Sequence, residues 1–300
     1  LALPCAAAAA AGAFVTYLAC KRACPGAAFA RKQKAAEEKA DDQKATESNV
    51  IYETDKSVDQ YMEFHFTPSA ELFQPYDANM KVKDAFDFTI RVAKKFKQYK
   101  PEKLGRVLDL GCAVGMSSFE LSKYFDEVVG VDLSAAFIRR AQRMAQERHA
   151  EYEGPEQGLR GVKRSITLDK HMHPEKCRFE VGDAMAVDPA LGEFDGLLAA
   201  NLVCRVPDPE KMLKGFAKIV KKGGVLVLVS PYSWWEGATS QDKWIGGKPG
   251  SERSEVLVQR ILESVGFKKL DEANEPFLIR DHHRRFQLGF SSCTVWRKVE

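Results

Sequence analysis

Apolar runs and amphipathic stretches alternate along the middle of the chain. RVLDL (106–110) is too short for a helix and reads as a buried strand, and MSSFELSKYF (116–125) has helical spacing. EVVGVD (127–132) is a second strand, followed by SAAFIRRAQRMAQERHA (134–150), an amphipathic helix with Ser134 placed to cap it. Further on, CRFEVGDA and FDGLLAANL read as strands, PEKMLKGFAKIV as a helix and GGVLVLVS as a strand. Strands alternating with helices predict an α/β fold, a doubly wound and mostly parallel sheet covered on both faces. PFLIRDHHRRFQLGFSSCTVWRKV (276–299) reads as extended segments, an antiparallel pair closing the sheet edge. The polar stretch 151–176 breaks the rhythm and is expected to be a surface excursion.

Before this region lie two unlike segments. Residues 1–20 carry no charge and precede Lys21 and Arg22, so they read as a targeting peptide or a weak membrane anchor. An anchor would put the remainder on the cytoplasmic side; otherwise the chain is expected in the cytoplasm or an organelle. Residues 31–48 alternate charge with alanine and read as a solvated helix or linker. The globular domain is therefore expected over 49–300.

Composition narrows the function classes. A net charge of +3, with basic residues spread along the chain, argues against a nucleic-acid binder. Seven cysteines without a CxxC pair favour free thiols in a reducing compartment. His171, His173 and Cys177 lie close together in sequence but lack a partner cluster, so no metal site is expected.

The candidate chemistry sits at strand ends. In a doubly wound sheet, ligands bind beyond the carboxyl ends of the strands, where strand order reverses. Asp109, Gly111, Cys112, Ala113 and Gly115 follow the first strand, and the two glycines allow a sharp turn and close approach to a ligand. The dinucleotide fingerprint GxGxxG is missing, which argues against a dehydrogenase. Asp132, with Leu133 beside it, ends the second strand and can accept bonds from two ribose hydroxyls. Asp183, with Ala184, is placed to receive an adenine amino group, and Asn201 lies where the reacting end belongs.

Together these residues resemble the class I S-adenosylmethionine-dependent methyltransferases over residues 80–230, with Ala113 at the middle glycine of their D-x-G-x-G-x-G motif. The resemblance implies the cofactor, S-adenosylmethionine, and a seven-stranded sheet. After the fifth strand, SPYSWWEGATSQDKWIGG crowds Trp234, Trp235 and Trp244 into one loop, expected to form an aromatic lid. Aromatic faces hold cations with about 0.5–2 kcal/mol per contact, and a sulfonium is a cation.

A closer resemblance rests on YMEFHF, LLAANLVCRVPDP, the tryptophan loop and PFLIRDHHRRFQ…TVWRK. These are similar to the mercaptohistidine N-methyltransferases of ovothiol biosynthesis, from Tyr61 to Lys298. That implies methylation of an imidazole nitrogen of a thiohistidine, the last step of ovothiol formation. In that family the methyltransferase is often fused behind an iron-dependent sulfoxide synthase. No such half is present here, so a separate sulfoxide synthase is the expected partner, or the chain is part of a longer product. Two alternatives stay open: another small heteroaromatic or amine as acceptor, or a non-catalytic cofactor-sensing partner of the synthase.

Methyl transfer from a sulfonium is an in-line displacement that needs positioning more than a strong base. Arg280 and Arg284 are candidates for the substrate carboxylate, and Glu236 for its ammonium. Tyr61 and His65 are expected on an N-terminal lid over the cofactor, with Trp234 at the acceptor. His282 or His283 is a candidate relay for the ring proton.

Overall fold

The computed structural model describes residues 52–67 and 85–300, all within the compact unit Glu47–Glu300. The targeting or anchor segment and charged linker expected over 1–48 lie outside the described residues. No described helix is long and apolar enough to cross a membrane.

Seven strands form one sheet. β1 (Arg106–Leu110), β2 (Glu127–Asp132), β5 (Cys177–Val181), β6 (Phe194–Ala200) and β7 (Val220–Ser230) are parallel, while β8 (Phe267–His282) and β9 (Arg285–Lys298) are antiparallel to one another. Their order is β5-β2-β1-β6-β7-β9-β8, so the direction of winding reverses between β1 and β6. Central strands read as continuous apolar runs because helices cover both faces, and Leu108, Leu110, Leu197, Leu198, Val227 and Val229 are fully buried. The expected antiparallel closing pair is present, and β8 begins earlier than the apolar pattern suggests because its first half, FKKLDEAN, is mostly charged and polar.

The helices are α1 (Asp55–Phe66), α2 (Phe88–Gln98), α3 (Met116–Leu121), α4 (Ala135–Glu147), α5 (Pro209–Gly215) and α6 (Ser254–Ser264). Ser134 caps α4 as expected, its Oγ accepting the Phe137 N–H at 3.1 Å. Thr54 does the same for α1, and Val58 and Met62 turn that helix's apolar face inward.

Residues 151–176 are not a surface excursion. β3 (His149–Gln157) and β4 (Arg160–Thr167) form a separate antiparallel hairpin whose inner face is packed. Ala150, Tyr152 and Ile166, with Leu168 and Met172 just beyond, are buried in the cluster that includes Met62, Phe119 and Phe137. The charged residues that make this stretch look solvated are the outward half of a period-two pattern.

A second overhang comes from β8 and β9. Ser292 pairs with Ser230, the last residue of β7, so residues 285–291 continue roughly 20 Å past the carboxyl end of the sheet. The turn between the two strands meets β3, where the His283 N–H donates to the Glu156 carbonyl at 3.2 Å. α1 and both hairpins thus gather at the edge where the strands end.

Candidate functional site

The loop after β1 folds back on β2. The amides of Gly111 and Cys112 both donate to the Val131 carbonyl, at 2.8 and 3.1 Å. Gly111, Ala113 and Gly115 adopt φ of 78°, 47° and 92°. Gly115 is also fixed by packing, since a Cβ there would lie 2.9 Å from the Phe179 ring. Ala113 holds a conformation that favours glycine. Ala113→Gly is expected to raise stability by about 0.5–1 kcal/mol, read from the urea midpoint.

Asp132 staples this loop. Its Oδ2 accepts the Ala113 N–H and its Oδ1 the Ser134 N–H, both at 2.9 Å. Burial raises the Asp132 pKa, and the amides of Ser134 and Ala113 oppose that rise. Each carboxylate oxygen keeps a second acceptor site, as two ribose hydroxyls require. Leu133 is 47% exposed beside it, an apolar surface suited to a purine face. Asp183 is exposed, its Oδ1 accepting the Met185 N–H at 2.8 Å, and Ala184 packs against the core behind it. These acceptors and surfaces fit the adenosine part of S-adenosylmethionine.

Asp109 lies deeper. It is buried, takes the Ser118 hydroxyl at 2.6 Å, and is pushed up to about 7, chiefly by burial. Because the folded pKa exceeds the unfolded 3.8, the fold binds the proton more tightly, and stability falls as pH rises toward 7. Asp109→Asn is expected to remove about 2–3 kcal/mol of stability loss between pH 5 and 8, measured as urea midpoints at each pH. Cys112 is buried beneath the loop, and burial pushes its thiol pKa well up.

α1 roofs the carboxyl end of β2. The Ser134 hydroxyl donates to the Tyr52 carbonyl at 3.0 Å, and Glu53 accepts the Ala136 N–H at 3.2 Å, tying the approach to α1 onto α4. The Tyr61 ring packs on Phe137 at 4.7 Å, edge-on to Tyr52 at 5.9 Å. Burial raises the Tyr61 pKa, Tyr52 and Asp132 adding to it and Arg205 opposing, so it stays a neutral donor. His65 lies one turn on, held neutral by burial that lowers its pKa to about 3, and its Nδ1 has no hydrogen-bond partner. Asn201, with φ 55°, directly follows β6 and accepts the Ser291 hydroxyl at 2.8 Å.

Other expected site residues are engaged elsewhere. Arg280 does not present an open fork: it is buried and paired with Glu63, which also accepts Tyr152 OH at 3.0 Å and lies 3.1 Å from Arg164 Nε. His282 ends β8 and Arg284 lies in the β8–β9 turn, where His282 Nδ1 accepts the Arg284 N–H at 3.2 Å, and Arg284 is exposed. Trp234 donates its indole N–H to Ser254 Oγ at 3.1 Å and stacks with Trp244, whose own N–H donates to the Thr239 carbonyl. Trp234 fastens the loop to α6 and Trp244 ties the loop to itself; of the three tryptophans only Trp235 is substantially exposed. Glu236 is exposed and accepts from Gln241. Among the described residues no group of three or more His, Cys, Asp or Glu could hold a metal ion.

Sequence reasoning missed Glu63 and Arg205. Glu63 carries a faint signal, an acid within the apolar run YMEFHF; Arg205 lies inside LLAANLVCRVPDP but has no spacing that marks it.

The chain matches the methyltransferase domain family over residues 76–271. It is 30% identical over 169 residues to the magnesium-protoporphyrin O-methyltransferase of Rhodobacter capsulatus, covering 53% of this chain and 59% of that one. It is 29% identical over 129 residues to the phosphatidylethanolamine N-methyltransferase of Cereibacter sphaeroides, covering 43% and 52%. The matched part thus spans little more than half the length of these relatives. The crystal structure of magnesium protoporphyrin IX methyltransferase from Synechocystis PCC 6803 with bound S-adenosylmethionine superposes with a TM-score of 0.51 at 15% identity, over 85% of this chain and 97% of that one. At that identity the likeness concerns the fold, a mostly parallel sheet with flanking helices. The chain belongs to the methyltransferase domain family, in its class I, S-adenosylmethionine-dependent form.

Proposed function

We propose that this chain transfers the methyl group of S-adenosylmethionine to a ring nitrogen of a thiohistidine. The cofactor supplies an activated methyl on a sulfonium. Asp132 would hold the ribose, Asp183 the adenine amino group and Leu133 a purine face, beside the loop 111–115 that Asp132 itself holds in place. The observation that carries the cofactor part of the reading is the roof of α1, where the Tyr61 ring packs on Phe137 at 4.7 Å and the His65 ring lies 5.8 Å from that of Tyr61, both rings kept uncharged by burial. A cationic histidine there would repel a sulfonium, whereas neutral rings do not.

An imidazole nitrogen is nucleophilic when neutral, so its orientation decides the rate more than a base does. A thiolate on the same ring is the stronger nucleophile. The pocket must therefore hold nitrogen, not sulfur, on the methyl–sulfur axis. The acceptor itself is supported by the likeness of YMEFHF, LLAANLVCRVPDP and the tryptophan loop to the ovothiol enzymes. A separate sulfoxide synthase would supply the substrate.

The test is a mass-spectrometric assay offering thiohistidine, histidine, magnesium protoporphyrin and ethanolamine phospholipid with S-adenosylmethionine. A product heavier by one CH₂ from thiohistidine alone, with fragmentation placing it on nitrogen, is expected. Methylation of another acceptor, or cofactor binding without turnover, would overturn the assignment.

A further inference from the structure

With Arg280 locked to Glu63, the structure leaves another cation for the acceptor. Arg205 lies four residues beyond Asn201, on the turn leaving β6 at the carboxyl edge of the sheet, and is half-buried. Its Nη1 donates to the carbonyls of Cys204 at 2.8 Å and Ser233 at 2.7 Å, and Nη2 lies 3.4 Å from Ser233 Oγ. These contacts clamp the guanidinium between the loops that follow β6 and β7.

Counting donors shows what remains. A guanidinium has five N–H groups; both on Nη1 and one on Nη2 are engaged, leaving Nε–H and the second Nη2–H. That pair forms one edge of the fork, the side-on geometry that grips a carboxylate with two parallel bonds. Among the described residues no carboxylate lies within ion-pair distance of Arg205. The half-buried Arg148 and Arg297 are likewise held by backbone carbonyls, whereas Arg280, Arg91 and Arg106 pair with Glu63, Glu275 and Glu127; what sets Arg205 apart is its place on the carboxyl edge of the sheet, at the candidate site. The Arg205 charge also opposes the rise that Asp132 adds to the Tyr61 pKa.

We propose that Arg205 is the anchor for the acceptor's carboxylate, and so a specificity-determining residue for an amino-acid acceptor over its decarboxylated amine. This rests on the methyl-transfer reading and deepens it. With Nη1 fixed by two backbone carbonyls, the free edge is set before substrate arrives. A carboxylate seated there would fix one end of the acceptor, leaving its ring to be turned toward Asn201.

The test uses the full chain loaded with S-adenosylhomocysteine. Calorimetry compares imidazole-4-acetate with 4-methylimidazole, and turnover compares thiohistidine with thiohistamine. Wild type is expected to favour each carboxylated ligand by at least about 30-fold, and Arg205→Gln to abolish that preference. Arg205→Lys, which keeps the charge but not the fork, should restore only part of it. Retained S-adenosylhomocysteine affinity in both variants shows that they fold. Equal loss for both members of each pair, binding of neither probe, or a preference that survives Arg205→Gln overturns the anchor. Should wild type leave thiohistidine unmethylated while its preference for imidazole-4-acetate depends on Arg205, the substrate fails and the anchor stands. If Arg205→Gln instead turns over thiohistidine with an undiminished preference over thiohistamine, the substrate stands and the anchor fails.

Discussion

Asp132→Ala is expected to weaken S-adenosylhomocysteine binding by at least about 100-fold and to destabilise the unliganded protein as well. Two effects combine. The carboxylate holds the glycine loop through the amides of Ala113 and Ser134 at 2.9 Å each, and bonds to a charged acceptor contribute about 1.5–3 kcal/mol apiece. Loss of both would free a loop whose backbone sits at positive φ at Gly111, Ala113 and Gly115. The variant would also lose both acceptors for the ribose, and 100-fold corresponds to about 2.7 kcal/mol. Asp132→Asn separates the effects. Its single oxygen can keep one amide, but its NH₂ would face the other donor, so affinity should fall nearly as far while stability falls less. Calorimetric titration and urea unfolding read the two quantities. Affinity within threefold of wild type for Asp132→Ala would mean that the residue only staples the loop.

What the sequence reveals about this site, and what it hides, follows the range of the interactions. The strand runs RVLDL and EVVGVD are legible because strands buried on both faces need no alternation. Asp132 is legible because its partner loop lies at a fixed spacing across one helix. β3 and β4 are not: their inward residues, Ala150, Tyr152 and Ile166, are separated by charged ones, and the charge dominates the composition. The tryptophan loop misleads in another way. Residue type shows that Trp234 and Trp244 want burial, yet not that Ser254 and the Thr239 carbonyl would take their N–H groups and turn them to the loop's own packing. Arg280 looks like a free fork in sequence for want of its partner. Glu63 lies 217 residues away, on a helix that no strand pattern announces.

That pair carries the second large effect. Glu63→Gln is expected to destabilise the protein by roughly 3–5 kcal/mol, because it removes the negative charge between two guanidiniums held out of water. Glu63 is fully buried and Arg280 is 5% exposed, with Arg164 and the Tyr152 hydroxyl on the same carboxylate. The cluster joins three elements distant in sequence: α1 carries the acid, the β3–β4 hairpin carries Tyr152 and Arg164, and β8 carries Arg280. Its loss should therefore loosen the roof as a unit, with faster amide exchange in α1 and the β3–β4 hairpin than in β1 and β6. The cofactor contacts proposed for Asp132, Asp183 and Leu133 do not involve this cluster, so S-adenosylhomocysteine affinity should fall less than for Asp132→Ala. The double variant Glu63→Met with Arg280→Met decides between charge and shape. It leaves one guanidinium, Arg164, which lies 12% exposed at its side chain and can turn toward water. If charge imbalance causes the loss, the double variant is more stable than Glu63→Gln; if packing around the carboxylate causes it, the double variant is no better. The same comparison bears on activity, since Tyr61 lies within one turn of Glu63 on α1. Restored stability with restored turnover would identify the buried cluster as the element that holds the roof over the cofactor edge.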